Sequence, residues 1–201
     1  MNLNGKIPFG ATPLDDISGL KLTYITTLKE LNEAEFQNIT QKTASLILKP
    51  PEIQKLMSRK YLYKVHKLML GDVWSWAGKK RISNKSVGVD KMIIDIELEK
   101  LIKNLVTWED FQMEPLEVSA RIHNKLVKIH PFENGNGRWS RIITNLYLSK
   151  KTNQTIKWPE KELYIRSNFR KKYIDALKKA DDSDYSILMD LHKSIIINIP
   201  L

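Results

Sequence analysis

A twelve-residue stretch near the middle of the sequence concentrates side chains that could do chemistry. It reads HPFENGNGRWSR and runs from His130 to Arg141. A histidine titrates near neutral pH and can take a proton from a hydroxyl group. Arginine binds phosphate oxygens through several N–H groups at once. The stretch therefore predicts a phosphate-handling site with its own base, and the alternative is a polar turn between two helices.

The elements on both sides of this stretch are predicted to be helices. Apolar residues recur at helical spacing over 115–129, and His130 precedes a proline, which disfavours helical backbone. The next helix is predicted to start near Gly137 or Arg138. The first N–H groups of a helix have no partner within it, so they attract an anion. Arg138 and Arg141 would share one face of that helix, and together they indicate a di- or triphosphate.

Three residues of the stretch are expected to shape the loop. Gly135 and Gly137 permit a positive φ and a close approach of the backbone to a ligand. Phe132 is expected to face the core and to anchor the loop. Each of these residue types is common in ordinary turns, but their joint occurrence at this spacing favours a site.

The rest of the chain predicts a mainly α fold with one small β-hairpin. Thr27 and Glu30 fit a capping box, which starts a helix that ends near residues 49–51. Further helices are predicted over about residues 51–70, 97–108, 159–180 and 185–197. Residues 81–94 mix Gly and Asp with β-compatible residues and predict a short, lysine-rich hairpin. We divide the chain into an N-terminal arm and helix (1–49, irregular over 1–20) and a core domain (50–201), within one compact unit.

The bulk composition excludes several classes of function. The chain of 201 residues has no cysteine, which excludes disulfides, thiol catalysis and cysteine-bound metals. We find no apolar run near the length of a membrane span and no signal peptide, so we expect a cytoplasmic protein without a membrane anchor. The net charge of +10, from 33 Lys and Arg against 23 Asp and Glu, favours anionic partners. The lysines are spread along the chain, however, which favours a generally basic surface.

The twelve-residue stretch resembles the signature of the Fic (Fic/Doc) family, HPFx(D/E)GN(G/K)RxxR. The matching residues are His130, Pro131, Phe132, Gly135, Asn136, Gly137, Arg138 and Arg141. The resemblance covers roughly residues 50–195. The family includes the bacterial cell filamentation protein Fic, and the N-terminal part is similar to a bacterial subgroup called mobile mystery protein B.

The resemblance implies a Fic-type helical bundle with a β-hairpin flap beside the active-site loop. It also implies transfer of AMP from ATP to a Ser, Thr or Tyr hydroxyl of a target protein. His130 would be the catalytic base, and Asn136 would hold the α-phosphate together with loop amides. The nucleotide would be bound by Gly135, Gly137, Arg138 and Arg141, with the arginines on the β- and γ-phosphates. The hairpin would dock an extended target segment through main-chain hydrogen bonds, using Lys85, Ser86, Val87, Gly88 and Val89.

Two positions depart from the family pattern. Asn134 stands where the family has an acidic residue that binds Mg²⁺. An amide oxygen can ligate Mg²⁺, but it brings no negative charge. We therefore expect Mg²⁺ as a cofactor beside ATP, at a site that this replacement weakens. Many members also carry an inhibitory helix with the pattern (S/T)xxxE(G/N), whose glutamate pairs with the second arginine of the signature. Residues 26–30 fit its first five positions, but Leu31 departs at the sixth. Glu30 is thus predicted either to reach Arg141 and restrain activity or only to close the capping box.

The sequence leaves other functions open, because a fold alone does not fix an activity. One alternative is a toxin-like phosphotransferase or another nucleotidyltransferase on the same fold. Another is a non-catalytic basic module that binds nucleic acid, although the sequence has no recognition motif of that kind. A homo-oligomer is left open. His66, His123 and His192 show no metal-ligand spacing and are predicted to be packing or surface histidines.

Overall fold

The computed structural model describes residues 17–200, apart from the side chain of Tyr164, and this part of the chain is mostly helical. The predicted irregular arm of residues 1–20 lies largely outside the described residues. The helices are α1 (Leu28–Leu48), α2 (Ile53–Leu56), α3 (Arg59–Leu70), α4 (Ile94–Asp110), α5 (Pro115–Ile129), α6 (Asn136–Thr152), α7 (Glu160–Tyr164), α8 (Asn168–Asp181) and α9 (Ser186–Ser194). Strands β1 (Gln154–Ile156) and β2 (Ile196–Asn198) form an antiparallel pair. The mainly α fold class is confirmed.

Helix α1 begins at the predicted capping box. The Thr27 hydroxyl accepts from the backbone N of Glu30 at 3.2 Å, and the Glu30 carboxylate accepts from the backbone N of Thr27 at 3.0 Å. The helix then packs into the main core through Leu31. The Asn38 side chain donates to the carbonyl of Met69 at 2.8 Å. Helix α1 is therefore fastened to α3 rather than standing apart from it.

Two segments predicted as single helices are each divided by a serine cap. The 51–70 segment splits into α2 and α3, because the Ser58 hydroxyl accepts from the backbone N of Tyr61 at 3.3 Å and starts a new helix. The 159–180 segment splits into α7 and α8 at Ser167, whose hydroxyl accepts from the backbone N of Arg170 at 3.0 Å. The last predicted helix, 185–197, ends at Ser194 and gives way to β2. The predicted bounds of the first two segments were wrong because a serine cap can start a new helix without interrupting the apolar periodicity.

The predicted hairpin over 81–94 was wrong in its backbone structure. Residues 82–90, called the flap loop below, contain no strand, and α4 begins at Ile94 after a 3₁₀ turn over Lys91–Ile93. Side chains satisfy the backbone here instead of a cross-strand ladder. Asn84 donates to the Asp90 carboxylate at 2.7 Å and accepts from the backbone N of Lys91 at 2.8 Å. The small sheet lies elsewhere, where β1 pairs with β2.

Helix α5 separates two apolar clusters. One face contributes Val118, Ile122, Leu126 and Ile129 to the main core, which also contains residues of α1, α3, α4 and α6. Ala120 faces a second cluster built mainly from α8 and α9. The loop between α5 and α6 therefore leaves one packed helix and enters another, which fixes both of its ends. None of the helices in the described range is long and apolar enough to cross a membrane.

Candidate functional site

The loop that joins α5 to α6 is anchored by an aromatic side chain. Phe132 is fully buried, and its ring stacks on that of His66 with centroids 3.6 Å apart. Trp139 meets the same ring edge-on at 4.9 Å. His66 accepts from the backbone N of Gly78 at Nδ1, so its Nε2 carries the hydrogen and donates to the carbonyl of Asn134 at 3.0 Å. Burial lowers the pKa of His66 to about 3, which keeps this ring neutral. His66 is thus a buried support for the loop.

The amide of Asn136 holds the loop closed on itself. Its oxygen accepts from the backbone N of Phe132, and its nitrogen donates to the carbonyl of Phe132, each at 2.9 Å. The side chain is 2% exposed. In this arrangement Asn136 shapes the turn that precedes α6, and its predicted contact with an α-phosphate stays a prediction.

The two loop glycines are not equivalent. Gly135 has a φ of 78°, and a Cβ there would lie 2.6 Å from Cδ1 of Leu70. The position therefore requires glycine for both conformation and space. Gly137 lies in the first turn of α6 without a positive φ, which corrects the expectation for that residue. The first helical hydrogen bond runs from Trp139 N to Gly135 O at 2.9 Å, so the N–H groups before it point out of the helix toward the loop.

His130 lies under the flap loop. It ends α5 in the left-handed conformation (φ 52°, ψ 59°) and is 8% exposed. The guanidinium of Arg81 donates to its carbonyl at 2.7 Å, and a Cβ on Gly88 would lie 2.6 Å from the His130 Cβ. Nδ1 lies 3.3 Å from the carbonyl of Val127, so this nitrogen carries the hydrogen and Nε2 is the basic one. Burial lowers the pKa of His130 to about 4, so the ring is neutral at pH 7.

Both signature arginines are held by carboxylates. Arg138 Nη1 donates to Glu35 of α1 at 2.6 Å, and the two side chains are 13% and 5% exposed. The other carboxylate oxygen of Glu35 accepts from the indole N–H of Trp74 at 2.6 Å. Arg141 makes a two-pronged pair with Glu160 at 3.2 and 2.8 Å. An incoming phosphate would therefore have to share the two arginines with these carboxylates or displace the carboxylates.

Glu30 closes the capping box, as the second alternative for that residue predicts. Its carboxylate accepts from the backbone N and hydroxyl of Thr26 at 2.8 and 3.1 Å and from the backbone N of Thr27 at 3.0 Å. The side chain is exposed, and those backbone bonds lower the pKa of its carboxyl. All three bonds go to the same oxygen of the Glu30 carboxylate. Helix α1 nevertheless reaches one of the loop arginines, Arg138, through Glu35.

The residues around Asn134 do not fit a Mg²⁺ site. The amide oxygen of Asn134 accepts from the backbone N of Gly135 at 2.5 Å, and it is neutral. The neighbouring carboxylate of Glu133 is paired with Lys85 at 2.5 Å. Across residues 17–200, no group of three or more His, Asp or Glu side chains is placed to hold a metal ion. Mg²⁺ in nucleotide sites is usually held by one or two carboxylates and the substrate phosphates. Here the Asn134 oxygen is neutral, and the Glu133 carboxylate is already paired with Lys85.

The structure adds residues to the site that sequence reasoning missed. Arg81 is 1% exposed and bonds the carbonyls of His130, Ser83 and Val89, so it joins the flap loop to the active-site loop. Glu35 lies 103 residues from Arg138 in sequence. No short-range pattern marks such a partner. The flap-loop residues named from the sequence, 85–89, do lie beside His130, through Gly88 and the Lys85–Glu133 pair.

The comparisons with known proteins agree with this architecture. The sequence model of the Fic/DOC family matches residues 56–148, which include α3 to α5, the flap loop and most of α6. A relative named protein adenylyltransferase Fic from Culex quinquefasciatus is 37% identical over 76 residues, 38% of this chain and 14% of that protein. A protein of the same name from Aedes aegypti is 31% identical over 130 residues, 62% of this chain and 25% of that protein. The chain therefore spans a quarter or less of the length of these two relatives.

Solved structures share the whole fold. The N-terminal Fic domain of a VirB-translocated Bep effector from Bartonella quintana superposes with a TM-score of 0.70 at 18% identity, covering 96% of this chain and 94% of that one. The BepC protein of Bartonella tribocorum, solved with bound AMPPNP, also has a TM-score of 0.70 at 18% identity, covering 98% and 100%. Residues 56–148 thus form a Fic/DOC family domain, and the chain has the fold of the solved Fic domains.

Proposed function

We propose that this protein is an adenylyltransferase, which transfers AMP from ATP to a side-chain hydroxyl of a target protein. One observation carries the proposal: the α5–α6 loop holds a neutral histidine at one end and two arginines at the other. His130 lies at the start of the loop, and Arg138 and Arg141 follow in the first turns of α6. The relatives named adenylyltransferase support the same reaction.

The chemistry assigns a role to each end of the loop. The target hydroxyl oxygen attacks the α-phosphorus of ATP while Nε2 of His130 takes its proton. The bond between the α-phosphorus and the oxygen that leads to the β-phosphate breaks, and pyrophosphate leaves. Arg138 and Arg141 hold the departing phosphates, and the N-terminus of α6 offers its N–H groups to the negative charge. The neutral state of His130, caused by its burial, is the state that can accept a proton.

The same geometry supports restraint by α1. Glu35 comes from α1 and its carboxylate is bound by Arg138 and by Trp74 at 2.6 Å each. A triphosphate and this carboxylate compete for one guanidinium. Restraint by the N-terminal helix is thus proposed at Glu35 rather than at Glu30.

A labelled-nucleotide experiment tests the function. The purified protein is incubated with a cell lysate and ATP labelled at either the α- or the γ-phosphorus. Label transferred to protein from the α-position, and absent with His130→Ala, is the expected result. Transfer from the γ-position alone would replace AMP transfer by phosphotransfer. Transfer from neither position, with Glu35→Gln as well as with the wild type, would contradict the proposal.

The restraint is tested with a matched pair of variants. Glu35→Gln removes the charge and keeps an oxygen for Trp74, so it should raise the rate of transfer. Glu30→Gln lies on the same helix but touches only the capping box, so it should leave the rate unchanged. Equal rates in both variants would refute restraint through Glu35 without touching the proposed reaction.

A further inference from the structure

A row of buried polar side chains runs through the second cluster, outside the loop. It consists of Ser119 and His123 on α5, Tyr173 on α8 and His192 on α9, with exposed fractions of 0, 0, 4 and 0%. His123 Nδ1 lies 2.9 Å from His192 Nε2, and His123 Nε2 lies 3.0 Å from the Tyr173 hydroxyl. At the far end, Ser119 Oγ lies 3.5 Å from His192 Nδ1. The reaction proposed above gives none of these residues a role.

The hydrogen bonds along this row all run in one direction. Ser119 donates to the carbonyl of Leu116 at 2.7 Å, so its oxygen accepts from Nδ1–H of His192. Burial lowers the pKa of both histidines, so each ring is neutral and carries one hydrogen. His192 Nε2 then accepts from Nδ1–H of His123. His123 Nε2 in turn accepts from the hydroxyl of Tyr173, whose oxygen keeps its lone pairs for another donor.

That donor is Arg141. Burial raises the pKa of Tyr173, and both the charge of Arg141 and its hydrogen bond to the hydroxyl act against the rise. The guanidinium is also bound by Glu160 and lies 5.7 Å from the ring centroid of Trp158. A guanidinium is planar with its N–H groups in fixed directions. Acceptors placed on several sides therefore fix the plane of the Arg141 side chain.

We propose that Tyr173, backed by His123 and His192, is a positioning residue that holds Arg141 in the orientation that binds the phosphates of a nucleoside triphosphate. This inference rests on the proposed function, because only there does Arg141 bind phosphate. Buried polar groups are tolerated when every member of the network is satisfied. Here Arg141 supplies a donor to the Tyr173 oxygen at the end of the row, which ties α8 and α9 to the loop chemistry.

The test compares two buried tyrosines. Tyr173→Phe removes the acceptor and keeps the ring. Tyr147→Phe is the matched control, because Tyr147 lies on α6 like Arg141, is 0% exposed, and bonds Glu109 at 2.5 Å instead. Calorimetric titration with ATP and with AMP gives the affinities. We expect Tyr173→Phe to weaken ATP binding roughly tenfold and to leave AMP binding unchanged, since AMP lacks the phosphates assigned to Arg141. Tyr147→Phe should change neither affinity.

Arg141→Lys separates this inference from the proposed function. If Arg141→Lys weakens ATP binding and Tyr173→Phe does not, the positioning role is overturned and the function stands. If neither variant changes ATP binding, Arg141 does not bind the phosphates, and the positioning role of Tyr173 is overturned as well. The NMR signal of the Arg141 Nε–H in nucleotide-free protein gives a second readout. It should move in Tyr173→Phe but not in Tyr147→Phe, and an unmoved signal in Tyr173→Phe would also overturn the proposal.

Discussion

The free energy of unfolding should fall steeply as the pH drops from 7 to 5.5. All four histidines of the chain are buried, and burial lowers the pKa of each: to about 3 for His66 and His192, to about 4 for His130, and well below the usual value for His123. In the unfolded chain each would titrate near pH 6.5. As the pH falls, the unfolded state therefore binds protons that the folded state does not bind, and the free energy of unfolding decreases.

The size of the effect follows from the unfolded pKa alone. A histidine that stays neutral in the folded state loses about 1.3 kcal/mol of stability between pH 7 and pH 5.5. Four such residues give about 5 kcal/mol, a large part of the stability of an ordinary domain. Carboxylates add little in this window, because they titrate near pH 4 in the unfolded chain. Between pH 7 and pH 8 the same calculation predicts a change in the free energy of unfolding of less than about 1 kcal/mol.

Urea unfolding followed by tryptophan fluorescence at pH 8, 7 and 5.5 measures these differences. A variant that lacks one of the histidines, such as His66→Gln, should show a pH-dependent loss smaller by about a quarter. A free energy of unfolding that changes by less than about 1 kcal/mol between pH 7 and 5.5 would refute the reasoning. It would mean that the imidazoles gain protons in the folded protein, through water or through movement of the flap loop.

Three further outcomes are expected from single substitutions. Gly135→Ala should lower the free energy of unfolding by roughly 1–3 kcal/mol, because φ at this position is 78° and the added Cβ would lie 2.6 Å from Leu70. Gly137→Ala, where the nearest side-chain atom lies at 3.6 Å, should be close to neutral in urea unfolding, and equal losses in the two variants would contradict this account. Arg81→Met removes the donor to the carbonyls of His130, Ser83 and Val89, so amide hydrogen exchange over residues 82–90 should speed up, and unchanged exchange would show that the flap loop holds itself. Glu160→Gln removes the charge that occupies Arg141, so ATP should raise the melting temperature of this variant more than that of the wild type; a smaller rise would place the phosphates elsewhere.

The helices and the loop motif could be predicted because their signals are local. The capping box of Thr27 and Glu30 lies within four residues, and the periodic apolar face of α5 lies within fifteen. Both were confirmed. The flap loop was misjudged for a physical reason. Val87 and Val89 favour strands by residue type, but the Arg81 and Asn84 side chains bond backbone groups of this segment that a ladder would need.

The ion pairs of the site could not be predicted from local pattern. Glu30 fits a regulatory pattern in sequence, yet its carboxylate is used within its own helix cap. Glu35 lies five residues further along α1, where the helix passes Arg138. Which carboxylate meets which arginine depends on how helices far apart in sequence cross. The same holds for His123 and His192, 69 residues apart, whose rings meet only because α5 and α9 pack together.

The sequence by itself thus determined the kinds of groups available: a base, a turn that contains two glycines, and two arginines one helical turn apart. These depend on short-range geometry, which a sequence encodes directly. Tertiary packing alone decided the burial, the protonation and the ion-pair partners of these groups. It buried His130 and kept it neutral, set Glu35 and Glu160 against the two arginines, and ended a row of buried polar groups on Arg141. Burial and long-range pairing arise only when distant segments meet, because the energy of a charge depends on its whole surroundings rather than on its neighbours in the chain.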